Sequence, residues 1–319
     1  MKKILIIGSG AMGAAFSIPL LDNNHKVTLV EPKNLKLIKK LNLKKKFHPS
    51  LKINLPNKLI TKKYSSEILK DKWDLIVIAV SSIGIEFISK QFVNFKSKTP
   101  ILVLTKGLKF YNYTKIITMS EQIKKNNKNL NISVLKGPCL AKELARKIKS
   151  YTVVANKNIK IAKYIGNMIS TSYYKTEYST DVIGIEFSSA IKNIYSMIIG
   201  SGQGNNASSG LFTKSIEEMK YLIKYFKGKT ETVFGLAGIG DLYVSAVGGR
   251  NSKMGEYLGK GFSFKIAKKK FMKEDTIEGA DLAFEIAPFV FKKINKKKIP
   301  LMIALLKAIT KNNKLKLIY

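Results

Sequence analysis

The chain of 319 residues carries 57 basic and 21 acidic residues, and its formal net charge at neutral pH is +36. The length predicts about two domains, and a hydrophobic content of 45% allows a sizeable core. A single cysteine excludes an internal disulfide, and two histidines 23 positions apart, His25 and His48, exclude a histidine-rich metal centre. We therefore expect no metal site.

The positive charge comes from 55 lysines and only two arginines, Arg146 and Arg250. Proteins that bind nucleic acid rely on arginine for bidentate and stacking contacts, whereas here lysine is scattered along the whole chain. We interpret the charge as a compositional bias that attracts anionic small molecules, phosphates included, and we expect no nucleic-acid partner.

The apolar stretches are interrupted by charges well short of a membrane span, and the N-terminus becomes glycine-rich too early for a signal peptide. We expect no membrane span and a cytoplasmic location.

The first half of the chain alternates short apolar runs with amphipathic segments. Strands are predicted over 2–8, 26–31, 73–80, 100–105, 131–137 and 151–156, and a helix over 11–23. Several of the runs are continuously apolar, as in parallel strands buried on both faces. The alternation predicts an α/β fold, with an N-terminal Rossmann-type doubly wound sheet.

After about residue 180 the spacing of apolar residues becomes helical and strand signals nearly vanish. Helices are predicted over 181–200, 214–226, 281–294 and 301–309. We therefore predict an α/β domain over 1–180 and an all-α domain over 181–319.

The segment GSGAMG (8–13) fits the dinucleotide-binding pattern GxGxxG between a strand and a helix. Gly8 permits the tight turn, Gly10 lets the backbone approach a pyrophosphate, and Gly13 allows close packing of helix on strand. Glu31 ends the second strand, where a carboxylate can bind the adenosine ribose and repel a 2′-phosphate. This favours NAD(H) over NADP(H), although two lysines follow within five residues. A glycine turn without a ligand is the alternative.

Lys192 stands alone among apolar and small residues in EFSSAIKNIYSMIIG (186–200). A buried ammonium without a partner is costly, so this side chain either extends to water or has a chemical role. The residues around it leave both interpretations open.

Three stretches, GPCLAKE (137–143), EFSSAIKNI (186–194) and GLAGIGDL (235–242) followed by GRN (249–251), resemble the NAD(P)-dependent glycerol-3-phosphate dehydrogenases. TKGL (105–108) and TIEG (276–279) match two further family positions, and all five occur in the family's order. The resemblance implies reversible reduction of dihydroxyacetone phosphate to sn-glycerol 3-phosphate with NAD(H) or NADP(H), and it suggests a homodimer. It makes 1–180 the dinucleotide-binding domain and 181–319 the helical substrate and catalytic domain.

In that family the lysine matching Lys192 is the general acid/base, and the resemblance places Asp241 with it in the catalytic group. Desolvation and a nearby cation, Lys106, would lower the pKa of Lys192 towards the working pH. Asp241 would raise the pKa of Lys192, so the sequence does not determine the direction of the net pKa shift.

The resemblance implies two further sets of site residues. The substrate-binding set is Lys106, Gly137, Cys139, Asp241, Gly249, Arg250 and Asn251. The cofactor-binding set is Gly8, Ser9, Gly10, Ala11, Met12, Gly13, Glu31, Lys106, Ala141, Arg250 and Glu278. Arg250 and Asn251 match the pair that holds the substrate phosphate, a task that suits a bidentate guanidinium.

Departures from the family pattern leave other functions open. Gly249 replaces the serine common before the Arg-Asn pair, the segment 241–250 is shorter than usual, and Met12 and Ser81 replace an aromatic residue and a proline. The alternatives are a dehydrogenase of a related phosphorylated polyol or ketose, and a sensor that binds NAD(H) without turnover. The 6-phosphogluconate and hydroxyisobutyrate dehydrogenases and the ketopantoate reductases are further alternatives for the family, but they lack GLAGIGD followed by GRN.

Overall fold

The computed structural model describes residues 1–317, and the chain divides into two compact units. The first unit contains residues 1–106 and 119–182, and the second contains 107–118 and the residues from 183 onward. The sequence interpretation kept 107–118 in the dinucleotide-binding domain, and that functional division stays a prediction.

The strands, in chain order, are β1 Lys3–Ile7, β2 Lys26–Glu31, β3 Phe47–His48, β4 Ile53–Asn54, β5 Ile60–Lys63, β6 Leu75–Ile78, β7 Ile101–Val103, β8 Leu108–Tyr111, β9 Lys115–Thr118, β10 Ile132–Lys136, β11 Ser150–Ala155 and β12 Tyr174–Ser179. Eight of them form the sheet of the first unit in the order β12-β11-β10-β7-β6-β1-β2-β5. The six strands predicted from the sequence all lie in this sheet.

One pair in the sheet, β10 with β11, is antiparallel, whereas the sequence predicted a parallel sheet throughout. A parallel connection must carry the chain back along the full length of a strand, usually through a helix. The only helix between these strands, Ala141–Ala145, has five residues and spans about 7.5 Å, less than half the length of a strand. The chain therefore reverses direction here.

The central strands are buried on both faces, as their continuous apolar runs predict. Across β1, β6, β7 and β10 the paired residues are Ile7, Ile78, Val103 and Val134. The loops that follow these strands therefore leave the sheet at one edge, which is where ligands bind in doubly wound folds.

The helices are α1 Ala11–Asp22, α2 Leu35–Leu41, α3 Ile85–Gln91, α4 Met119–Lys124, α5 Ala141–Ala145, α6 Ile159–Ile169, α7 Val182–Gly200, α8 Asn205–Tyr225, α9 Asp241–Gly248, α10 Arg250–Gly259, α11 Phe264–Phe271, α12 Glu278–Lys293 and α13 Pro300–Thr310. The second unit is built from α7 to α13 and the β8–β9 hairpin. The hairpin joins it through Glu285 of α12, which accepts a hydrogen bond from the Phe110 amide (2.8 Å) and pairs with Lys109 (3.2 Å).

Helix α7 is the one helix of the described chain long and apolar enough to cross a membrane by length and composition. In the folded protein 89% of its most apolar 18-residue window is buried. It is therefore a core helix, and the other helices of the second unit surround it.

Glu218 of α8 joins three helices inside the second unit. Its carboxylate accepts hydrogen bonds from the Leu301 amide (2.7 Å), the Met302 amide (3.0 Å) and the Tyr195 hydroxyl (3.0 Å). The two amides belong to the first turn of α13, where backbone donors have no partner within the helix. Burial raises the pKa of Glu218 to about 7, although the three hydrogen bonds act against the shift.

This raised pKa predicts a pH-dependent stability. Glu218 contributes most below its ordinary value of 4.5, and the contribution is lost as the pH rises through about 7. Relative to Glu218→Gln, which does not titrate, the free energy of unfolding of the wild type should fall by up to about 3 kcal/mol over this range. Urea unfolding at several pH values measures the difference. Glu256→Gln, at an exposed carboxylate of α10, is the matched control, and a pH-independent difference for Glu218→Gln would contradict the assignment.

Candidate active site

The turn after β1 contains three glycines of the motif, and packing within the first unit requires glycine at two of these positions. Gly8 has a φ of +111°, and a Cβ built on it would lie 2.7 Å from the Ala79 backbone. A Cβ on Gly13 would lie 1.9 Å from the Gly8 carbonyl oxygen. A Cβ on Gly10 would meet no atom within 4 Å, so the protein's own packing does not require glycine there. The open space beside Gly10 fits the close approach of a pyrophosphate.

Ser9 fixes this turn through two buried side chains. Glu31 accepts hydrogen bonds from the Ser9 amide (2.9 Å) and hydroxyl (2.8 Å) through Oε2. The Nε2 atom of His48 lies 3.0 Å from the Ser9 carbonyl oxygen, while its Nδ1 accepts from the Leu51 amide (3.3 Å). The imidazole therefore carries its proton on Nε2 and donates it to Ser9.

The other carboxylate oxygen of Glu31, Oε1, accepts from the amides of Lys33 (2.9 Å) and Asn34 (3.0 Å). Burial alone would raise the pKa of Glu31, but the hydrogen bonds from Asn34, Lys33 and Ser9 outweigh it, and the pKa lies below its ordinary value. The carboxylate is therefore charged at neutral pH and connects the glycine turn to the loop after β2.

A cavity of about 260 Å³ opens beside this carboxylate. Its lining includes Gly8, Gly10, Glu31, Asn34, Val80 and Phe87. The combination of an open glycine backbone, an apolar wall and a charged carboxylate fits the adenosine end of a dinucleotide.

The remaining predicted residues of the first unit follow strands of the same sheet. Lys106 comes three residues after β7, and Gly137 comes directly after β10 with a φ of +126°, a conformation that favours glycine. Cys139 and Ala141 are partly buried and pack against the apolar core of this unit, as Met12 does. Because β7 and β10 are parallel neighbours, Lys106 and Gly137 leave the sheet at the same edge as the glycine turn.

In the second unit Lys192 is buried, with 7% of its surface exposed, and does not extend to water. Its Nζ atom lies 2.7 Å from Oδ1 of Asp241 and 3.4 Å from the Asp241 carbonyl oxygen. Asp241 is 2% exposed, and the Ser189 hydroxyl approaches its Oδ2 at 3.5 Å. The isolated lysine of the sequence is therefore one half of a buried ion pair.

The motif GLAGIGD positions Asp241. Residues Leu236–Gly240 form a π-helical turn, a rare geometry that is frequent at functional sites, and α9 begins directly at Asp241. The π-helical turn continues directly into α9, because the Asp241 amide donates to the carbonyl oxygens of Gly238 and Leu236. Gly238 packs so closely that a Cβ on it would lie 2.0 Å from the Val233 carbonyl oxygen.

Asn251 lies in a buried amide network next to this pair. Its Nδ2 donates to Oδ1 of Asn193 (3.1 Å), and its Oδ1 accepts from the Gly279 amide (2.9 Å). Asn193 in turn donates to Glu278 (3.2 Å). A Cβ on Gly279 would lie 2.5 Å from the Asn193 carbonyl oxygen, so the glycine of TIEG allows α12 to approach α7.

Arg250 begins α10 and is more accessible than its neighbours. Its Nη2 lies 3.8 Å from Glu278, and both side chains are more than half exposed, so this ion pair contributes little to stability. Gly249 precedes the helix and provides no side-chain cap, which leaves the first-turn amides of α10 to be satisfied from outside the helix. A guanidinium and free amides at a helix N-terminus form an arrangement that suits an anion.

The structure thus groups the predicted residues into two sets, one in each unit. The glycine turn, Glu31, Lys106 and Gly137 share the carboxyl edge of the sheet, while Lys192, Asp241, Arg250, Asn251 and Glu278 are joined by contacts among α7, α9, α10 and α12. Sequence reasoning missed His48 and Asn193. The signal for Asn193 was its place beside Lys192, as a second polar residue in an apolar helix. Within residues 1–317, no group of three histidine, cysteine or acidic side chains could hold a metal ion.

Two protein-family models match nearly the whole chain. The model described as NAD-dependent glycerol-3-phosphate dehydrogenase N-terminus matches residues 3–162, and the corresponding C-terminus model matches 181–319. These matches confirm the resemblance proposed from the motifs.

Individual relatives agree with the family models. The NADP(+)-dependent glycerol-3-phosphate dehydrogenase of Archaeoglobus fulgidus is 30% identical over 306 residues, which cover 92% of this chain and 90% of that protein. The glycerol-3-phosphate dehydrogenase [NAD(P)+] of Bacillus pumilus is 30% identical over 278 residues, 85% of this chain and 80% of that protein. The crystal structure of glycerol-3-phosphate dehydrogenase from Coxiella burnetii superposes with a TM-score of 0.84 at 24% identity, covering 98% of this chain and 96% of that one. This likeness confirms the predicted fold class.

The buried pair predicts a non-additive effect on stability. Lys192→Met removes the ammonium that faces the buried Asp241 carboxylate, at a cost of about 3–5 kcal/mol in the free energy of unfolding. The double variant Lys192→Met/Asp241→Asn removes both charges and should cost less than Lys192→Met alone. Urea unfolding measures the free energy of unfolding of the wild type, of Lys192→Met and of the double variant. Lys214→Met, in the exposed Lys214–Glu217 pair, is the control and should change little. A double variant less stable than Lys192→Met would contradict the pairing.

Proposed function

Because the chain belongs to the NAD-dependent glycerol-3-phosphate dehydrogenase family, we propose that it catalyses the reversible reduction of dihydroxyacetone phosphate to sn-glycerol 3-phosphate. The observation that carries the proposal is the buried Lys192–Asp241 pair on two of the motifs that define the resemblance. Family membership also sets aside the rival dehydrogenase groups.

Lys192 is the proton donor in this mechanism. When bound, the dinucleotide supplies the hydride that reaches carbon 2 of the substrate. Lys192 gives a proton from its ammonium group to the carbonyl oxygen, which becomes the hydroxyl of the product, and it is reprotonated from solvent before the next turnover. In the oxidative direction the neutral amine accepts the hydroxyl proton.

Asp241 supports the reductive direction. The carboxylate at 2.7 Å stabilises the ammonium form, which otherwise would be disfavoured by burial. It also holds the side chain in one orientation, since the hydrogen bond leaves the Nζ atom little freedom. Ser189 approaches the second carboxylate oxygen and restrains Asp241 in turn.

Arg250 and the first turn of α10 are proposed to bind the substrate phosphate. The guanidinium has weak competition from Glu278, and the adjacent amides add neutral donors. Asn251 has one amide proton beyond those used in its network with Asn193 and Gly279, so it can both fix the start of α10 and donate to the phosphate.

The first unit is proposed to bind the dinucleotide. The open space at Gly10 and the cavity beside Glu31 support this role. A carboxylate whose pKa is lowered remains negative at neutral pH and disfavours a 2′-phosphate, which supports NAD(H) as the better cofactor. Lys106 and Gly137, at the same sheet edge, are proposed to contact substrate, and Lys106, Ala141, Arg250 and Glu278 to contact the cofactor.

A substrate related to dihydroxyacetone phosphate is the second candidate, and Gly249 is the observation that favours it. A Cβ at this position would lie 2.6 Å from the Ser245 carbonyl oxygen, so the backbone as folded does not accommodate a serine. The substrate-facing surface therefore lacks a hydroxyl at this point. We further propose a homodimer, which the resemblance suggests, and a cytoplasmic location, which the sequence leads us to expect.

The central test is turnover of dihydroxyacetone phosphate by the purified protein, followed as the loss of NADH absorbance. Lys192→Ala should lower kcat by at least about a hundredfold, because the general acid is removed, while NADH binding measured by fluorescence survives. Lys175→Ala, an exposed lysine on β12, is the matched control. Equal activity in Lys192→Ala would remove the proton-transfer role. If only other phosphorylated ketones reacted, the proposed proton transfer would be kept and the proposed substrate would be replaced.

The role of Glu31 is tested by comparing cofactors. The wild type should show a kcat/KM for NADH about tenfold above that for NADPH. Glu31→Gln keeps the shape but removes the charge, so the ratio of the two values should move towards NADPH even as the loosened turn weakens both cofactors. Glu177→Gln, an exposed carboxylate on β12, controls for charge alone. An unchanged ratio would mean that Glu31 acts only on the turn.

A further inference from the structure

Lys136, the last residue of β10, is a buried lysine to which neither the motifs nor the proposed mechanism gives a role. It is 2% exposed and is among the largest fully buried side chains of the protein. Strand alternation places it on the same face of β10 as Ile132 and Val134, which are apolar. In a chain that keeps most of its lysines in water, an ammonium at this depth requires a local reason.

The contacts of Lys136 supply that reason. Its Nζ atom donates to the Thr105 carbonyl oxygen at 2.7 Å and to the Val103 carbonyl oxygen at 3.1 Å. The Val103 carbonyl belongs to the last paired residue of β7, and the Thr105 carbonyl belongs to the loop that follows. The ammonium therefore bridges the point where the chain leaves the sheet.

The segment it holds leads directly into Lys106. The Thr105 carbonyl is part of the peptide group that joins Thr105 to Lys106, so a hydrogen bond to that oxygen fixes the orientation of this peptide. The Thr105 hydroxyl donates to the Val80 carbonyl oxygen, which anchors the same residue to the loop after β6. Lys136 is also followed at once by Gly137, so one side chain ties the two segments that carry the predicted ligand contacts of this edge.

We propose that Lys136 is a positioning residue for Lys106, whose side chain it places by fixing the Thr105–Lys106 peptide. The inference rests on the proposed function, in which Lys106 contacts the substrate. An apolar side chain of similar length would fill the same space, but the two buried carbonyl oxygens would lose the hydrogen bonds that Lys136 donates to them. The Thr105–Lys106 peptide would then be free to rotate, and a small displacement of a substrate contact is sufficient to lower the reaction rate.

The test is a double-mutant cycle between Lys136→Met and Lys106→Ala, read as kcat/KM for dihydroxyacetone phosphate. In the wild-type background Lys136→Met should lower kcat/KM about ten- to a hundredfold. In the Lys106→Ala background the same change should cost less than about threefold, because the group being positioned is already absent. A merely structural lysine would cost the same factor in both backgrounds, and that result would overturn the proposal.

Conservative and matched variants complete the design. Lys136→Gln retains a hydrogen-bond donor at the end of the side chain and should recover part of the lost kcat/KM. It replaces Lys136→Met in the double-mutant cycle if Lys136→Met folds poorly. Lys175→Met makes the same substitution at an exposed lysine of the same sheet and should leave kcat/KM unchanged.

A second readout does not depend on activity. Amide hydrogen exchange of the unliganded protein should accelerate in peptides covering 103–107 in Lys136→Met, with the strands β1 and β6 unaffected. If the wild type fails to reduce dihydroxyacetone phosphate, the proposed function falls while this measurement still decides whether Lys136 fastens the segment. Unchanged exchange at 103–107 would overturn the positioning role whatever the activity.

Discussion

A lysine ammonium in the centre of a buried helix is stable only because a carboxylate lies 2.7 Å from it. Replacing such a pair by apolar residues of similar volume is often neutral or even stabilising, so stability alone does not explain why Lys192 and Asp241 are kept. The surrounding structure is nevertheless arranged to hold them: α7 carries the lysine through the core, and a π-helical turn delivers the aspartate to the first turn of α9. In the proposed function, this fixed geometry is what a proton-transfer group requires.

The same reasoning applies to two other buried charges, which are informative because the chain is so basic. Glu31 is compensated by four hydrogen bonds, and Lys136 by two carbonyl oxygens. Both lie at the carboxyl edge of the sheet, where a doubly wound fold binds its ligands. Each charge holds a loop that leaves that edge, so the backbone expected to meet the dinucleotide and the substrate is ordered before either arrives. Pre-organisation of this kind reduces the entropy lost on binding.

The parts of the fold that sequence could predict are those governed by local rules. The glycine turn was predicted from its motif between a strand and a helix, and Lys192 was recognisable because an isolated charge in an apolar helix breaks the pattern. Contacts between distant segments left no such signal: His48 meets Ser9 across 39 positions, and Asn251 meets Asn193 across 58. The lysine-rich composition also hid Lys136, because one lysine among 55 attracts no attention until its burial is known.

The proposed phosphate site of the second unit is built largely from backbone amides and one guanidinium, and this determines what the site could discriminate. Gly249 offers no side chain, so the donors at the start of α10 are its amides, Arg250 and the remaining proton of Asn251. These groups recognise a phosphate but not the carbon skeleton attached to it. In the proposed function, selection among phosphorylated ketones must therefore arise at the carbonyl end, from the position that Lys192 and its partner impose on the reacting oxygen. A site with a rigid proton donor and a permissive anion anchor selects its substrate by the distance between carbonyl and phosphate.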